Sequence, residues 1–305
     1  MLYLHRGEWL ALGIIMSVVL WTVIAQIIGN IDINWQSFVP NIRFFAAFVA
    51  FGLLIRYRGL ADHYAVLFIV FGLVPIFASV LSIANMSAFP LQRPLIDEAL
   101  FAIDHALGYE WDKIVVWAAG YPEMSRILSK IYLSSFPQIF ALIIYLGVTR
   151  RAATLHHFLL TMMLSSLMTI AFWFLWPSFG PSAYLTLPPE VVAAAGLVVT
   201  PDYGAVLMRF AEQGLGTVER HLVLGTVAFP SYHIVMSLLV VWFARGTWLF
   251  WPALLFNLPM IPATLIHGGH HLIDLPGGLG CFALAVILAG KILQPRKAAP
   301  EPAAA

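Results

Sequence analysis

Long apolar stretches follow one another along this chain, and they constrain its fold more than any other feature. A helix needs about 20 mostly apolar residues to cross a bilayer, and about eight stretches qualify. Only 10% of the residues are charged, against about 25% in soluble domains. The chain therefore has too few charged residues to cover these apolar stretches in a water-soluble fold. The sequence therefore predicts an all-α, polytopic membrane helix bundle. The stretches are Trp9–Ile28, Phe38–Ile55, Tyr64–Met86, Ile131–Val148, Thr154–Trp176, Ser231–Ala244, Trp248–Ile266 and Leu272–Leu293. The second, sixth and seventh are the weakest, being short or interrupted by proline.

Two segments between these stretches are not expected to span. Residues 93–120 alternate apolar and acidic side chains at helical spacing, which predicts an amphipathic interfacial helix broken at Gly108. Its acidic residues are expected on a solvated face. Residues 177–229 form a long loop with a short helix near Ala205–Gln213, and a loop of this length is usually functional. The acidic residues in question are Asp97, Glu98, Asp104 and Asp112.

These features divide the chain into three regions. Residues 1–89 are predicted N-terminal membrane helices, 90–293 a membrane-embedded catalytic core, and 294–305 a disordered tail of low complexity. The single cysteine, Cys281, excludes a disulfide framework. A net charge of +1 without a basic patch gives no reason to expect nucleic acid as a partner.

The distribution of charge predicts the orientation. An even number of spans places both termini on one side, and that side carries most of the Lys and Arg residues in short connections. The opposite side carries more acidic than basic residues. By the positive-inside rule, the termini are expected in the cytoplasm of a multi-pass protein of the cell (inner) membrane. The long loop would then face the outer, periplasmic side.

Two histidines define the candidate site. His233 and His270 each lie where an apolar helix begins, and the predicted helical hairpin between them returns the chain to the same face. Asp274 follows His270 by four residues, one helical turn, so its carboxylate can reach the imidazole. A histidine oriented by a carboxylate and facing a second histidine suits nucleophilic catalysis with a general acid.

The same residues resemble motifs of a known family. FPSYH at 229–233 and HHLID at 270–274 are similar to the second and third motifs of the type-2 phosphatidic acid phosphatase superfamily. Arg93-Pro94 and Gly180-Pro181 resemble features of a bacterial branch related to inositol phosphorylceramide synthases. The resemblance implies a six-helix core shared with vanadium haloperoxidases and a membrane enzyme that transfers or hydrolyses lipid phosphates.

The resemblance also implies roles for individual residues. His270 would attack phosphorus and form a phosphohistidine, Asp274 would hold its ring, and His233 would protonate the leaving oxygen. Ser231 and Tyr232, with their backbone N–H groups, would hold phosphate oxygens. Arg93 would clamp the phosphate through its planar guanidinium. No metal or other cofactor is implied.

Two expected phosphate-binding cations are missing from the motifs. Met86 stands where the first motif has a lysine, and Thr264 stands where the third motif has an arginine. Arg220 is the first candidate replacement because its loop leads into FPSYH, with Arg126 and Lys130 as further candidates.

Several alternatives accompany this hypothesis. His271 is interpreted as a packing or substrate-channel residue, because Asp274 is spaced four residues from His270. A zinc site built from His267, His270 and His271 lacks a fourth ligand. The expected partners are a lipid phosphate or diphosphate, with water, inositol or another polyol as acceptor. The alternative function is a lipid transporter or a non-catalytic scaffold on the same fold.

Overall fold

The N-terminal third forms three long helices. The computed structural model describes residues 3–294, so the predicted tail lies outside the described residues except for Gln294. The second and third helices form an antiparallel hairpin because glycines allow their backbones to approach closely. A Cβ at Gly52 would lie 2.7 Å from the Ala65 carbonyl oxygen. The helices are α1 (Arg6–Gly29), α2 (Trp35–Tyr57) and α3 (Asp62–Met86).

Residues 97–175 form four shorter helices followed by one long helix. A left-handed Gly108, with φ of +74°, separates the first two helices of this group. The third and fourth are joined at Ser134 with a bend of 50°. The helices are α4 (Asp97–Ala106), α5 (Trp111–Ala119), α6 (Pro122–Leu133), α7 (Ser135–Val148) and α8 (Ala152–Leu175).

The long loop after α8 is folded. It contains α9 (Pro189–Ala195) and α10 (Pro201–Gln213). A two-residue strand, β1 (Asp32–Ile33), pairs in parallel with β2 (Thr217–Val218). This pairing ties the loop to the connection between α1 and α2. Two 3₁₀ turns complete it, at Pro181–Ala183 and Arg220–Leu222.

The last four helices carry the two candidate motifs. The first and last of them begin side by side, since the Ser231 N–H donates to the Asp274 carbonyl oxygen at 3.0 Å. The last helix packs along α8. These helices are α11 (Tyr232–Phe243), α12 (Phe250–Asn257), α13 (Met260–His267) and α14 (Asp274–Leu293).

The all-α polytopic fold is confirmed, but fewer spans are full length than predicted. Six segments are long and apolar enough to cross a bilayer, and the bent α6–α7 pair makes seven if counted as one span. The six are α1, α2, α3, α8, α14 and the α12–α13 segment Phe250–His267. Helix α11 has 12 residues, about 18 Å of helix against a hydrocarbon core of about 30 Å. It is short because the chain turns at Gly246, whose φ is +70°.

The main apolar core lies between α3, α7, α8 and α11. Its centre is built from large side chains with almost no exposure, including Phe77, Ile143 and Phe158. Helices α1 and α2 pack around α3, and most of their length faces outward. The first turns of α11 pack into this core through Val235 and Met236.

Candidate active site

His270 and Asp274 form a hydrogen-bonded pair. The His270 Nδ1–H donates to Asp274 Oδ2 at 2.8 Å, and the His271 N–H donates to the same oxygen at 2.9 Å. The carboxylate is fully buried. The loop before it turns sharply at Gly269, whose φ is +60°. Because Nδ1 is engaged, the free nitrogen of His270 is Nε2, which has no protein partner among residues 3–294.

His233 lies opposite this pair. Its ring centroid is 6.5 Å from that of His270, at an interplanar angle of 70°. The His233 ring stacks on Tyr132, with centroids 3.8 Å apart. Tyr109 fixes the other side of the site by donating its hydroxyl to the His270 carbonyl oxygen at 3.0 Å. The His233 ring is thus packed against Tyr132 on α6, and the His270 backbone is held by Tyr109 from the connection between α4 and α5.

The two histidines share a cavity of about 230 Å³, called here the histidine cavity. An atom bound between the rings could approach both imidazoles, which is the geometry required of a nucleophile and a general acid. No lysine or arginine in the part of the chain that the structure describes lines this cavity. Its other walls are Tyr132, Phe179, Val198, Val199, Tyr203, Leu207, Gly225, Thr226, Val227, Ala228 and Gly268.

The residues predicted to bind phosphate are distributed over several places. The Ser231 hydroxyl is buried without a partner in residues 3–294, while its N–H bonds the Asp274 carbonyl. The Tyr232 hydroxyl pairs with Ser166 on α8 at 2.6 Å, so this side chain points into the bundle. Arg93 is exposed and lies outside the histidine cavity. Arg220 is also exposed and lines a different cavity, near α2 and α3.

The other candidate cations lie at the surface. Arg126 is exposed and paired with Glu123 on its own helix, and Lys130 is exposed one turn further on. The two positions where the resemblance expected cations are buried: Met86 is 1% exposed and Thr264 is fully buried. The structure thus brings together His233, His270 and Asp274, but none of the candidate cations.

A buried ionic cluster beside the site was missed by the sequence analysis. The His271 Nδ1–H donates to Asp104 Oδ2 at 2.7 Å, and its Nε2–H donates to Asp97 Oδ1 at 3.3 Å. All three side chains are at most 2% exposed. The prediction that Asp97 and Asp104 lie on a solvated face is therefore wrong, whereas Glu98 is exposed as expected.

The cluster also holds backbone on both sides of the site. Asp97 accepts the N–H groups of Phe179, at 3.1 Å, and Gly180, at 2.7 Å. Asp104 accepts the Leu272 N–H at 3.0 Å. Burial alone would lower the pKa of His271, but the hydrogen bonds to Asp104 and Asp97 outweigh it and raise this pKa to about 9. His271 is therefore an imidazolium at neutral pH, next to the Asp274 carboxylate.

The sequence did contain a signal for this cluster. Asp97, Leu100 and Asp104 are spaced three and four residues apart, so they lie on one face of α4. Leu100 is buried with them. Two carboxylates on the apolar stripe of an amphipathic helix require a buried partner, and the additional histidine beside His270 is a residue type that can supply it.

The three histidines considered for a zinc site each have different hydrogen-bond partners. His267 lies 3.4 Å from the Ser125 hydroxyl, and His271 is bound by Asp97 and Asp104. Within residues 3–294 no group of three or more His, Cys, Asp or Glu side chains has the arrangement of a metal site.

The fold and the site define a class: an all-α integral-membrane protein in which a histidine–aspartate pair faces a second histidine. The sequence profile of the PAP2 superfamily matches residues 98–289, more than half of the chain, and the protein belongs to this superfamily. The resemblance seen in the motifs is therefore confirmed at the level of the superfamily. No curated protein and no solved structure gives a significant match to the chain. Membership supports a phosphatase-type or phosphotransferase-type activity on a phosphate-bearing substrate.

Proposed function

We propose that the protein is a lipid phosphatase or phosphotransferase that works through a phosphohistidine on His270. The observation that carries this proposal is the arrangement of the site. The His270–Asp274 pair faces His233 across one cavity, and that cavity continues into an apolar one. A paired histidine with a free Nε2 is a nucleophile, and an apolar extension suits a lipid chain.

The proposed reaction follows from the unpaired Nε2 atom of His270 and from the position of His233 across the cavity. His270 Nε2 attacks phosphorus, and the bond from phosphorus to the leaving oxygen breaks as His233 donates a proton to that oxygen. Asp274 keeps the proton on Nδ1 and stabilises the charge that develops on the His270 ring. In the second step, water or an alcohol gives its proton to His233 and attacks phosphorus. The bond from phosphorus to Nε2 then breaks, and both histidines return to their starting state.

The start of α11 supplies donors for the phosphate oxygens. Helix N-termini bind anions because their first N–H groups have no partner within the helix. Among residues 3–294 the first N–H groups of α11, including those of Tyr232 and His233, have no backbone partner, whereas the Ser231 N–H bonds the Asp274 carbonyl oxygen. The buried Ser231 hydroxyl is a further candidate donor. The role of Arg93 stays a prediction from the resemblance, and that of Arg220 a prediction from its position in the loop before FPSYH.

The lipid substrate is proposed from the second cavity. This apolar cavity, of about 260 Å³, lies between α3, α8 and α11 and shares Gly225, Thr226, Val227 and His233 with the histidine cavity. Its walls are mostly apolar side chains. A phosphate between the histidines would thus have an apolar route for the group attached to it. The proposed catalytic core is 90–293, and α3 from the N-terminal region completes this cavity.

The resemblance favours the branch related to inositol phosphorylceramide synthases, so inositol or a sugar hydroxyl is proposed as an acceptor beside water. The site is proposed to lie on the outer face of the cell membrane, from the distribution of charge. A cysteine introduced at exposed His221, in a Cys281→Ser background, would then react with an impermeant maleimide on intact cells. Failure to react until the cells are lysed would place the site inside.

The test of the activity compares purified protein with two histidine variants. Phosphate release from long-chain lipid phosphates is measured in detergent with EDTA present, for wild type, His270→Ala and His221→Ala. The proposal predicts release by wild type and by His221→Ala, and none by His270→Ala. If wild type releases nothing until inositol or a sugar alcohol is added, and then exchanges the headgroup, the protein is a transferase. No reaction in either assay would contradict the proposal and favour a scaffold, which also agrees with the finding that no Lys or Arg of residues 3–294 lines the histidine cavity.

A further inference from the structure

The junction between the two cavities carries an asparagine whose hydrogen bonding is incomplete. Asn85, in the last turn of α3, lines the apolar cavity and is 6% exposed. Its Nδ2–H donates to the Thr226 hydroxyl, and its Oδ1 has no partner among residues 3–294. Whichever way the amide is turned, one polar atom bonds Thr226 and the other is left unpaired.

An unpaired amide in a largely apolar cavity is unfavourable unless a ligand satisfies it. Asn85 also lies before residues 98–289, which match the superfamily profile. Thr226, its partner, lines both cavities, as does His233. The pair therefore stands where a substrate would pass from the histidines into the apolar cavity.

We propose that Asn85 is a specificity-determining residue that binds the uncharged polar group of the lipid nearest to its phosphate, a hydroxyl or an amide. This proposal rests on the proposed function, because the phosphate is taken to lie between His233 and His270. The lipid chain beyond that polar group lies against the apolar walls contributed by Phe77, Ile139 and Met236. Asn85 would thus select lipids with a hydrogen-bonding group beside the phosphate over simple alkyl phosphates.

The competing explanation is structural, namely that Asn85 only ties α3 to the loop through Thr226. That bond occupies one atom of the amide and leaves the other unexplained. Asn257 provides a matched control: it is also buried, at 5% exposure, with Oδ1 unpaired in residues 3–294. It donates to Gln138 and to the Ala253 carbonyl, and it lines neither the histidine cavity nor the apolar cavity.

The experiment uses two substrates that share a phosphate and a single saturated sixteen-carbon chain. One is hexadecyl phosphate, and the other is 1-O-hexadecylglycerol 3-phosphate, which has a hydroxyl beside the phosphate-bearing carbon. Phosphate release is measured for wild type, Asn85→Leu and Asn257→Leu. We expect Asn85→Leu to lower kcat/KM for the glycerol substrate about three- to tenfold, the effect of one neutral hydrogen bond. Asn85→Leu should change kcat/KM for hexadecyl phosphate by less than about twofold. Asn257→Leu should change the ratio of the kcat/KM values for the two substrates by less than about twofold.

Two kinetic outcomes and one binding outcome overturn the proposal. Equal losses for both substrates would give Asn85 a structural role, and equal rates in wild type and Asn85→Leu would show that it makes no contact. If wild type releases phosphate from neither lipid and exchanges no headgroup when inositol or a sugar alcohol is added, the proposed function fails. The two lipids are then used as ligands in thermal unfolding. The glycerol lipid should then raise Tm more than hexadecyl phosphate in wild type, but not in Asn85→Leu. Equal shifts in both proteins would refute the Asn85 contact independently of catalysis.

Discussion

Replacing the buried imidazolium His271 with a neutral side chain should remove a large, pH-dependent part of the stability. In His271→Gln, the carboxylates of Asp97 and Asp104 lose their cation while staying buried. A pKa raised from 6.5 to about 9 corresponds to about 3 kcal/mol of preferential stabilisation of the charged form in the folded state. Removing one partner of a buried ion pair typically costs about 3–5 kcal/mol. We therefore expect a loss of about 3 kcal/mol near neutral pH.

The sign of the pH dependence follows from the direction of the shift. Because the folded pKa lies above the unfolded one, the contribution of His271 is complete below pH 6.5 and is lost as the pH rises towards 9. Wild type should therefore lose stability across that range, while His271→Gln should show a flatter profile. The two proteins should become similar near the upper end of the range.

The assay is denaturant-induced unfolding in detergent, followed by circular dichroism at several pH values between 6.5 and 9. His105→Gln is the control, since His105 is an exposed histidine at the end of α4. The triple variant His271→Phe, Asp97→Asn, Asp104→Asn removes all three charges and should recover much of the loss, because no carboxylate is left unpaired. Parallel pH profiles for wild type and His271→Gln would refute the assignment of His271 as a buried cation.

Three further predictions concern the site and its loops. Asp274→Asn should lower kcat about a hundredfold or more with little change in KM, because the ring of His270 loses its orientation and charge stabilisation; steady-state kinetics that show only a KM effect would contradict this. Gly180→Ala should abolish folded protein, since a Cβ there would lie 2.1 Å from the Gly269 carbonyl oxygen at a φ of +81°. By contrast, Gly196→Ala should lower the free energy of unfolding by only about 1 kcal/mol, since Gly196 has a φ of +59° but no neighbouring atom in the way of a Cβ. Equal folded yields of Gly180→Ala and Gly196→Ala on size-exclusion chromatography would argue against the close packing of Gly180 on Gly269. Arg220→Gln should change KM less than about threefold because Arg220 lies outside the histidine cavity, whereas a rise of about tenfold or more would indicate a charged contact with the phosphate.

The sequence predicted the parts of the fold that depend on local pattern. Apolar length identified the membrane helices, and the four-residue spacing identified the contact between His270 and Asp274. For α11 the predicted stretch Ser231–Ala244 agrees with the helix to within one residue at each end, but its 12 residues are too few to cross the hydrocarbon core.

The parts that depend on distant contacts could not be predicted in the same way. His271 meets Asp104 and Asp97, which are 167 and 174 residues away along the chain. Single-sequence spacing does not report such pairs. The position of Arg220 is a similar case: nearness in sequence to FPSYH suggested nearness in space, but its 3₁₀ turn follows β2, which is held beside the start of α2 by the pairing with β1.

The most direct test of the account is to trap the phosphoenzyme. A lipid phosphate labelled with ³²P is mixed with wild type, His233→Gln and His270→Gln in the presence of EDTA, and the protein is quenched in alkali. Phosphohistidine survives this treatment while phosphoserine is labile to it. The account predicts label on the peptide that contains His270 in wild type and no label in His270→Gln. In His233→Gln the label should appear more slowly, because the leaving oxygen lacks its acid, and should also decay more slowly, because the second step lacks its base. Label on another residue, or label that persists in His270→Gln, would contradict the central role of His270.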